Sequence, residues 1–268
     1  MKRLISLIAA VSVSFGLCAQ NLTILHLNDT HSHIDPQRAG EYKGHGGVIE
    51  HAAYIDSVRN ADGRRNVLLL HAGDFSQGTS YFKELEGNIE IDVFNAIGYD
   101  VVTLGNHEFD NGPVELARRL RNLDSEVVCA NYDFTGSALE GLVQPYTIVR
   151  KAGRKIGIIG LLTDISRVVD RNLTGSLEYQ DPVAVVNRYA GYLKDERKCD
   201  LVICLSHLGY DEDCEVAEQT EDVDVFIGGH SHTWLDEMTV VKAKDGDDVI
   251  VVQDGNWGLT IGKLSVEF

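Results

Sequence analysis

Side chains that could carry out metal and proton chemistry lie together in the hexapeptide GNHEFD, at residues 105–110. Asn106 offers a neutral amide oxygen to a divalent cation, and His107 can give a proton to a departing group. Asp110 lies one helical turn after His107 and can hold its imidazole in one tautomer while stabilising the charged form. The hexapeptide is therefore typical of acid catalysis beside a metal ion, and four other segments support that interpretation.

These four segments present potential metal ligands directly after apolar, strand-like runs. In chain order the ligands are Asp29 and His31, Asp74, His207, and finally His230 with His232. Carboxylate and imidazole groups suit Mn, Zn, Fe or Co. In Asp-x-His and His-x-His, alternate side chains of an extended backbone project to the same side, which would aim each pair at one ion. A turn aspartate or a buried histidine could explain any single segment, but their joint occurrence favours a metal site.

Short apolar runs precede the ligands and predict the strands that would position them. The runs cover Leu22–Leu27, 66–70, 99–104, 200–205 and 223–227. Helical patterns lie between them, notably over Asn88–Ile97 before Gly98 and over 114–123 after Pro113. This strand–helix alternation predicts a largely parallel sheet, in which ligands collect at the carboxyl ends of the strands.

The second half of the chain is richer in β-structure. Its predicted elements are a hairpin (146–149 and 155–162), a surface loop (164–178), a helix (182–198) and three further strands (238–241, 249–253 and 259–268). The last three strands are predicted to pair antiparallel in a second sheet. No linker or repeat divides the chain, so residues 20–268 are expected to form a single domain.

The composition is that of a soluble globular protein, with 44% hydrophobic and 24% charged residues in a chain of 268. The net charge is −17, and no cluster of Lys and Arg follows the N-terminus. This balance argues against a nucleic-acid duplex as partner, because such partners are bound through cationic contacts to phosphates. A small phosphorylated ligand is still compatible, since bound cations can invert the local field.

Residues 1–19 predict a signal peptide. Lys2 and Arg3 precede an apolar run over 4–17, and Ala19 supplies a small residue at the expected cleavage site. The apolar run is shorter than the ~20 residues that a membrane-spanning helix needs. We therefore expect a mature chain without a transmembrane segment, exported to the periplasm or the extracellular space.

The cysteines raise two further questions, lipid attachment and disulfide formation. Cys18 could carry a lipid, although the bulky Leu17 before it disfavours this alternative. Export would place the remaining thiols in an oxidising compartment, and they belong to Cys129, Cys199, Cys204 and Cys214. Their even number permits disulfides, but their low density and the lack of Cys-x-x-Cys favour buried or incidental thiols over disulfides or a thiolate zinc site.

The order of these motifs resembles that of the calcineurin-like metallophosphoesterases. That order is Asp-x-His, Gly-Asp, Gly-Asn-His-Glu, a later His and Gly-His-x-His. The segments LNDTHSH, GNHEFDNG and GGHSH are closer still to the catalytic domain of periplasmic 5′-nucleotidases, and the resemblance extends over residues 22–268. It implies an α/β fold, a four-layer αββα sandwich of two mixed β-sheets flanked by helices.

The resemblance also implies two divalent metal ions and a role for each candidate residue. The matched positions are Asp29, His31 and His232 for the first metal, Asp74 for the bridging carboxylate, Asn106, His207 and His230 for the second metal, and His107 with Asp110 for the catalytic pair. Asn106 and His107 would also contact the substrate phosphate.

The implied activity is hydrolysis of a small phosphate ester, a nucleotide in the manner of a 5′-nucleotidase. Related sequences also cleave cyclic nucleotides, nucleotide sugars or sulfur esters, and the residues do not separate these alternatives. A non-enzymatic metal- or nucleotide-binding module is disfavoured, because every ligand position and His107 are intact.

Full-length relatives carry a second, C-terminal domain that stacks the nucleobase between aromatic rings and supplies arginines for the phosphate. This chain ends at Phe268, where the catalytic domain of the relatives ends. The resemblance therefore implies either a separate partner chain that supplies base recognition or a less selective phosphoesterase.

Overall fold

The computed structural model describes residues 21–174 and 177–268, whose strands form two β-sheets. The predicted signal peptide and Cys18 lie outside the described residues. The strands, in chain order, are β1 (Leu22–Leu27), β2 (Val67–His71), β3 (Val101–Thr103), β4 (Glu126–Val128), β5 (Tyr146–Lys151), β6 (Arg154–Leu162), β7 (Leu201–His207), β8 (Val225–Ile227), β9 (Thr239–Lys242), β10 (Asp248–Val252) and β11 (Gly262–Val266). The α-helices are α1 (Val48–Asp62), α2 (Ser80–Leu85), α3 (Asn88–Ile97), α4 (Gly112–Leu120), α5 (Arg171–Thr174), α6 (Pro182–Asp195) and α7 (Tyr210–Glu218).

Parallel pairing brings the carboxyl ends of the central strands to one edge of each sheet. The first sheet has the order β11-β1-β2-β3-β4, with β1 to β4 parallel and β11 antiparallel to β1. The second has the order β5-β6-β7-β8-β10-β9, in which only the outer strands β5 and β9 pair antiparallel within the described residues. Both sheets are therefore mixed, with a parallel centre.

Three apolar layers join the sheets and helices, and alternation along each strand assigns residues to a layer. In β1, Leu25 and Leu27 pack on the helix side with Ile55 of α1, whereas Leu22 and Ile24 pack between the two sheets. A third layer packs α6 and α7 against the second sheet. Burying one such side chain stabilises the folded state by ~1.5–3 kcal/mol relative to leaving it exposed. The layers follow the order helix, sheet, sheet, helix, and the predicted αββα sandwich is confirmed.

The prediction for the tail of the chain is wrong in one respect. β9 and β10 do pair antiparallel in the second sheet, but β11 lies in the first sheet, with Leu264 opposite Ile24 of β1. β1 is buried along its whole length. A strand on its otherwise free side supplies hydrogen-bond partners that buried backbone groups require, which explains the position of β11.

Local signals fixed some boundaries better than others. α3 has the predicted bounds because Gly98 takes a left-handed conformation, φ 77°, and donates its N–H to Phe94 O at 2.8 Å. The predicted surface loop over 164–178 instead contains a short 3₁₀ turn at Ile165–Arg167 and then α5. Asp164 starts that turn by accepting a hydrogen bond from Ser166 N at 3.1 Å.

None of the helices in residues 21–174 and 177–268 has the length and apolarity required to cross a membrane. The cysteines in this part of the chain are free, with Cys129, Cys199 and Cys204 buried and Cys214 half-buried. Burial raises the pKa of the Cys204 thiol well above its ordinary value, so this thiol packs as a neutral group.

Candidate metal centre

The predicted site residues all lie where a strand reaches its carboxyl end. The first sheet contributes Asp29 and His31 after β1, Asp74 after β2, and Asn106, His107 and Asp110 after β3; the second contributes His207 at the end of β7 and His230 and His232 after β8. The two sheets stack with these edges together, and side chains from both meet there.

Asp29, His31 and His232 form a first group, whose ligand-type atoms lie within 4.8 Å of one another. His232 Nε2 lies 3.3 Å from Asp29 Oδ1 and 3.0 Å from His31 Nε2. The distance from His31 Nε2 to Asp29 Oδ1 is 3.8 Å. Two imidazole nitrogens and a carboxylate oxygen thus converge on one point, an arrangement suited to a shared cation.

Asp74, His207 and His230 form a second group of the same kind. His207 Nδ1 donates to Ala72 O at 2.6 Å, which fixes the tautomer and directs Nε2 toward Asp74 Oδ2, 3.1 Å away. Asp74 Oδ2 also lies 3.9 Å from His31 Nε2 of the first group. The carboxylate of Asp74 therefore lies between the two groups.

Besides His31 Nδ1, three buried polar atoms of the cluster have no hydrogen-bond partner among the described residues. They are Asp29 Oδ1, Asn106 Oδ1 and His207 Nε2, which approaches Asp74 outside hydrogen-bonding geometry. A buried polar atom without a partner costs ~1–3 kcal/mol. All three are atom types that ligate divalent cations, so the donor set fits the two ions that the sequence implies.

Charge within the cluster shifts the pKa of its members in opposite directions. Burial raises the pKa of Asp74, but the neighbouring imidazoles, led by that of His207, outweigh it and hold this pKa below its ordinary value. Burial lowers the pKa of His207, but the charges of Asp74 and Asp29 outweigh it and raise this pKa to about 10. Burial is the main cause of the lowered pKa of His31 and His230. Asp74 is therefore anionic at neutral pH, and a proton on His207 competes with a metal ion.

The ligand loops are not extended, so the sequence-based reason for the convergence of each His or Asp pair is wrong. Left-handed backbone occurs at Asp29 (φ 48°), His31 (46°), Asp74 (52°), His230 (73°) and His232 (54°). Such values are uncommon outside glycine, cost ~1–3 kcal/mol each and cluster at ligand sites. The side chains converge because each loop turns sharply at its ligand, not because they alternate along a strand.

Gly105 lies where any side chain would overlap the cluster, since an added Cβ would collide with the carboxylate and backbone nitrogen of Asp74. We expect Gly105→Ala to displace Asp74, lower the free energy of unfolding by about 1–3 kcal/mol and weaken metal binding. Urea unfolding and metal analysis measure both effects. Gly191→Ala in α6 is the matched control, because its Cβ would meet only Asp222 Oδ2, at 3.7 Å. Equal stability of the two variants would contradict the prediction.

His107 and Asp110 form a partly exposed pair beside the buried ligands. His107 Nδ1 donates to Asp110 Oδ2 at 2.8 Å, and about a third of each side chain is exposed. This hydrogen bond outweighs burial and raises the pKa of His107 to about 9, so the imidazole is protonated at neutral pH. Its ring centroid lies 5.3 Å from that of His31. A protonated imidazole held beside a ligand cluster can donate a proton or stabilise an anion there.

Glu108, which has no predicted role, holds two of the ligand loops together. Its buried carboxylate accepts hydrogen bonds from the backbone nitrogens of Asp74, Ser76 and Gly105, at 2.9, 2.9 and 2.6 Å. Arg119, also buried, donates to the Glu108 carbonyl at 2.8 Å. Burial raises the pKa of Glu108 to about 7, although these backbone N–H groups oppose the shift. Its position directly after His107 in GNHE was the available sequence signal.

Two amide side chains without predicted roles position the loop after β8. Gln253 is buried, and its Nε2 donates to Gly229 O at 2.8 Å while its Oε1 accepts from Ser231 Oγ at 2.9 Å. Asn256 Nδ2 lies 2.9 Å from His232 Nδ1, which directs Nε2 of this imidazole toward the first group. Amides are common surface residues, and only their place at the end of a strand-like run (Gln253) or shortly after it (Asn256) could have indicated these two.

Comparisons with known proteins give the same family for sequence and structure. The family model described as calcineurin-like phosphoesterase matches residues 22–234. A snake venom 5′-nucleotidase of Naja atra is 35% identical over 92% of this chain and 50% of its own length. The crystal structure of a 5′-nucleotidase precursor from Thermus thermophilus has a TM-score of 0.85 at 37% identity, over 92% of this chain and 51% of that chain.

The NAD nucleotidase of Haemophilus influenzae is similar as well, with a TM-score of 0.83 at 30% identity over 92% of this chain and 47% of that chain. The chain spans about half the length of the curated relatives it matches. The family match over 22–234 contains every predicted site residue. The chain belongs to the calcineurin-like phosphoesterase family.

Proposed function

We propose that this chain hydrolyses nucleotide phosphate esters at two divalent metal ions, as a 5′-nucleotidase-like phosphoesterase. One observation carries the proposal, the convergence from both sheets of two carboxylates and four imidazoles, those of Asp29, Asp74, His31, His207, His230 and His232. The relatives named 5′-nucleotidase, at 35% and 37% identity, support the substrate class.

Each group of ligands would hold one ion, and Asp74 would bridge the two. The first ion would be held by Asp29, His31 and His232, and the second by Asn106, His207 and His230. Mn, Zn, Fe and Co are the candidates, because sets of Asp, Asn and His accept several metals. When bound, such a pair of cations activates water as a nucleophile and neutralises charge on the phosphate oxygens. Asn106 contributes an oxygen without adding negative charge that would repel the phosphate.

His107 would act on the leaving group of the substrate. Asp110 engages Nδ1, which leaves Nε2 to donate a proton to the departing oxygen or a hydrogen bond to the phosphate. The raised pKa keeps this proton on the imidazole at neutral pH until negative charge develops beside it. Asp110 then restores the charged form by favouring uptake of a proton from water.

Metal analysis of the purified chain, coupled to chromatographic detection of the hydrolysis products of a substrate panel, tests the proposal. The panel contains AMP, a cyclic nucleotide, a nucleotide sugar, a sulfur ester and p-nitrophenyl phosphate, each with Mn or Zn. We expect AMP to be hydrolysed fastest, a chelator to abolish turnover and added metal to restore it. Faster hydrolysis of another member of the panel would make that compound's class the substrate class in place of nucleotide phosphate esters. Two bound ions without turnover of any member would favour a binding module.

We also infer that residues 1–19 direct export and that the mature chain acts in the periplasm or outside the cell. The charged and apolar order of this segment supports the inference. N-terminal sequencing of the secreted protein is expected to begin near Gln20. A retained Met1 would contradict export, and a lipid-modified Cys18 at the N-terminus would favour the lipoprotein alternative.

A further inference from the structure

Exposed aromatic side chains lie beside the first group of ligands. The chain contains two tryptophans, and both are here, with Trp257 38% and Trp234 46% exposed. Tyr42, which stacks on Trp234, is 43% exposed. Exposed aromatic side chains that lie beside a ligand cluster are candidates for a binding surface.

Hydrogen bonds connect Trp257 to the ligand cluster. Its backbone N–H donates to Asp29 O at 2.7 Å, and the preceding residue, Asn256, bonds His232 at 2.9 Å. Trp257 also has a left-handed backbone, φ 59°, which is a genuine outlier for a bulky residue. The backbone that carries this indole is therefore held beside two of the ligands, Asp29 and His232.

The two tryptophans differ in the side chains that lie against each ring, although both are partly exposed. Trp234 packs against the backbone of Gly255 and also stacks on Tyr42, with ring centroids 6.1 Å apart and an interplanar angle of 10°. Trp257 stacks on His33 at 5.2 Å and 23°, and no second aromatic ring stacks on it among the described residues. One face of the Trp257 indole is thus covered, and the exposed area belongs to the rest of the ring.

We propose that the open face of Trp257 binds the nucleobase of the substrate by stacking, with adenine as the reference base. This inference rests on the proposed function for its substrate, because a nucleotide joins a phosphate for the cluster to a planar base for the indole. Stacking tolerates any base, since every base has a π-face. The chain would then carry a base-binding element of its own, at the rim of the catalytic centre.

Kinetics with and without the base test this site. The probes are AMP and ribose 5-phosphate, compared through the ratio of their kcat/KM values in the metal-loaded protein. We expect a ratio of about ten in the wild type, ~1.4 kcal/mol, falling toward one in Trp257→Leu through KM and largely retained in Trp257→Phe. Tyr192→Leu, on the exposed side of α6, is the control and leaves the ratio unchanged. A wild-type ratio near one, or an equal loss on both substrates in Trp257→Leu, would overturn the proposal.

Fluorescence gives a readout that does not depend on turnover. In Trp234→Phe, Trp257 is the sole indole, and we expect adenosine to quench it while ribose 5-phosphate does not. Absence of quenching would overturn the base site. Quenching without hydrolysis of any phosphate ester would reject the proposed function and retain the base site. Hydrolysis of AMP and ribose 5-phosphate at equal rates, without quenching, would retain the proposed function and reject the base site.

Discussion

Replacing His107 with alanine is expected to lower kcat for AMP by at least about a hundredfold while the metal content holds. The imidazole is partly exposed and carries a proton at neutral pH, because the hydrogen bond to Asp110 raises its pKa to about 9. A positioned acid contributes ~10²–10⁴-fold to rate. None of the proposed metal ligands is removed by this change, so the ions should stay bound.

Two comparisons separate a lost proton donor from general damage. His45→Ala, at an exposed histidine in the loop before α1, should leave kcat unchanged. p-Nitrophenyl phosphate has a leaving group that needs little protonation, so its hydrolysis should fall less than that of AMP in His107→Ala. Unchanged AMP turnover would refute the role of His107 as acid, and an equal loss on both esters would point to phosphate binding instead.

We expect the Asp74→Asn variant to lose its bound metal ions and therefore essentially all of its activity. The carboxylate lies between the two groups of ligands, with Oδ2 3.1 Å from His207 Nε2 and 3.9 Å from His31 Nε2. Asparagine keeps the shape and the acceptor for His107 N–H, but it removes the negative charge and one ligand oxygen. Loss of a group that merely supports a ligand costs ~10–100-fold in metal affinity, so loss of the bridge should cost more.

Metal analysis after dialysis against a defined metal buffer measures this effect directly. Asp92→Asn, at an exposed aspartate of α3, is the matched control and should retain the wild-type metal content. Circular dichroism shows whether the Asp74 variant keeps its fold. Two ions per chain in folded Asp74→Asn would contradict the bridging role.

The sequence located the site by residue type and by the position of each residue after an apolar run. Strand ends in a parallel sheet share an edge, so the meeting of Asp29 and Asp74 followed from the βαβ pattern. The backbone conformation that brings them together could not be predicted, because left-handed backbone at non-glycine residues such as His31 has no signal in composition or periodicity. Turns of that kind are imposed by the surrounding contacts, among them the hydrogen bonds to Glu108.

Long-range pairing was likewise beyond local patterns. The residues of β11 have a strand-like alternation, but alternation does not identify the neighbouring strand, and β1 takes it because both faces of β1 are buried. The roles of Gln253 and Asn256 were not predicted for a different reason. Their roles depend on which loop comes within reach of their amides, and Gly229 and His232 are brought there only by the completed sheet.

Each group of ligands draws members from both sheets, Asp29 and Asp74 from the first and His232 and His207 from the second. Bound ions would therefore act as cross-links between the two halves of the sandwich. Separation of the halves would require release of the ions, which makes resistance to heat and proteases depend on the supply of free metal. Under the export inferred for this chain, the surrounding medium would then determine its lifetime as well as its rate.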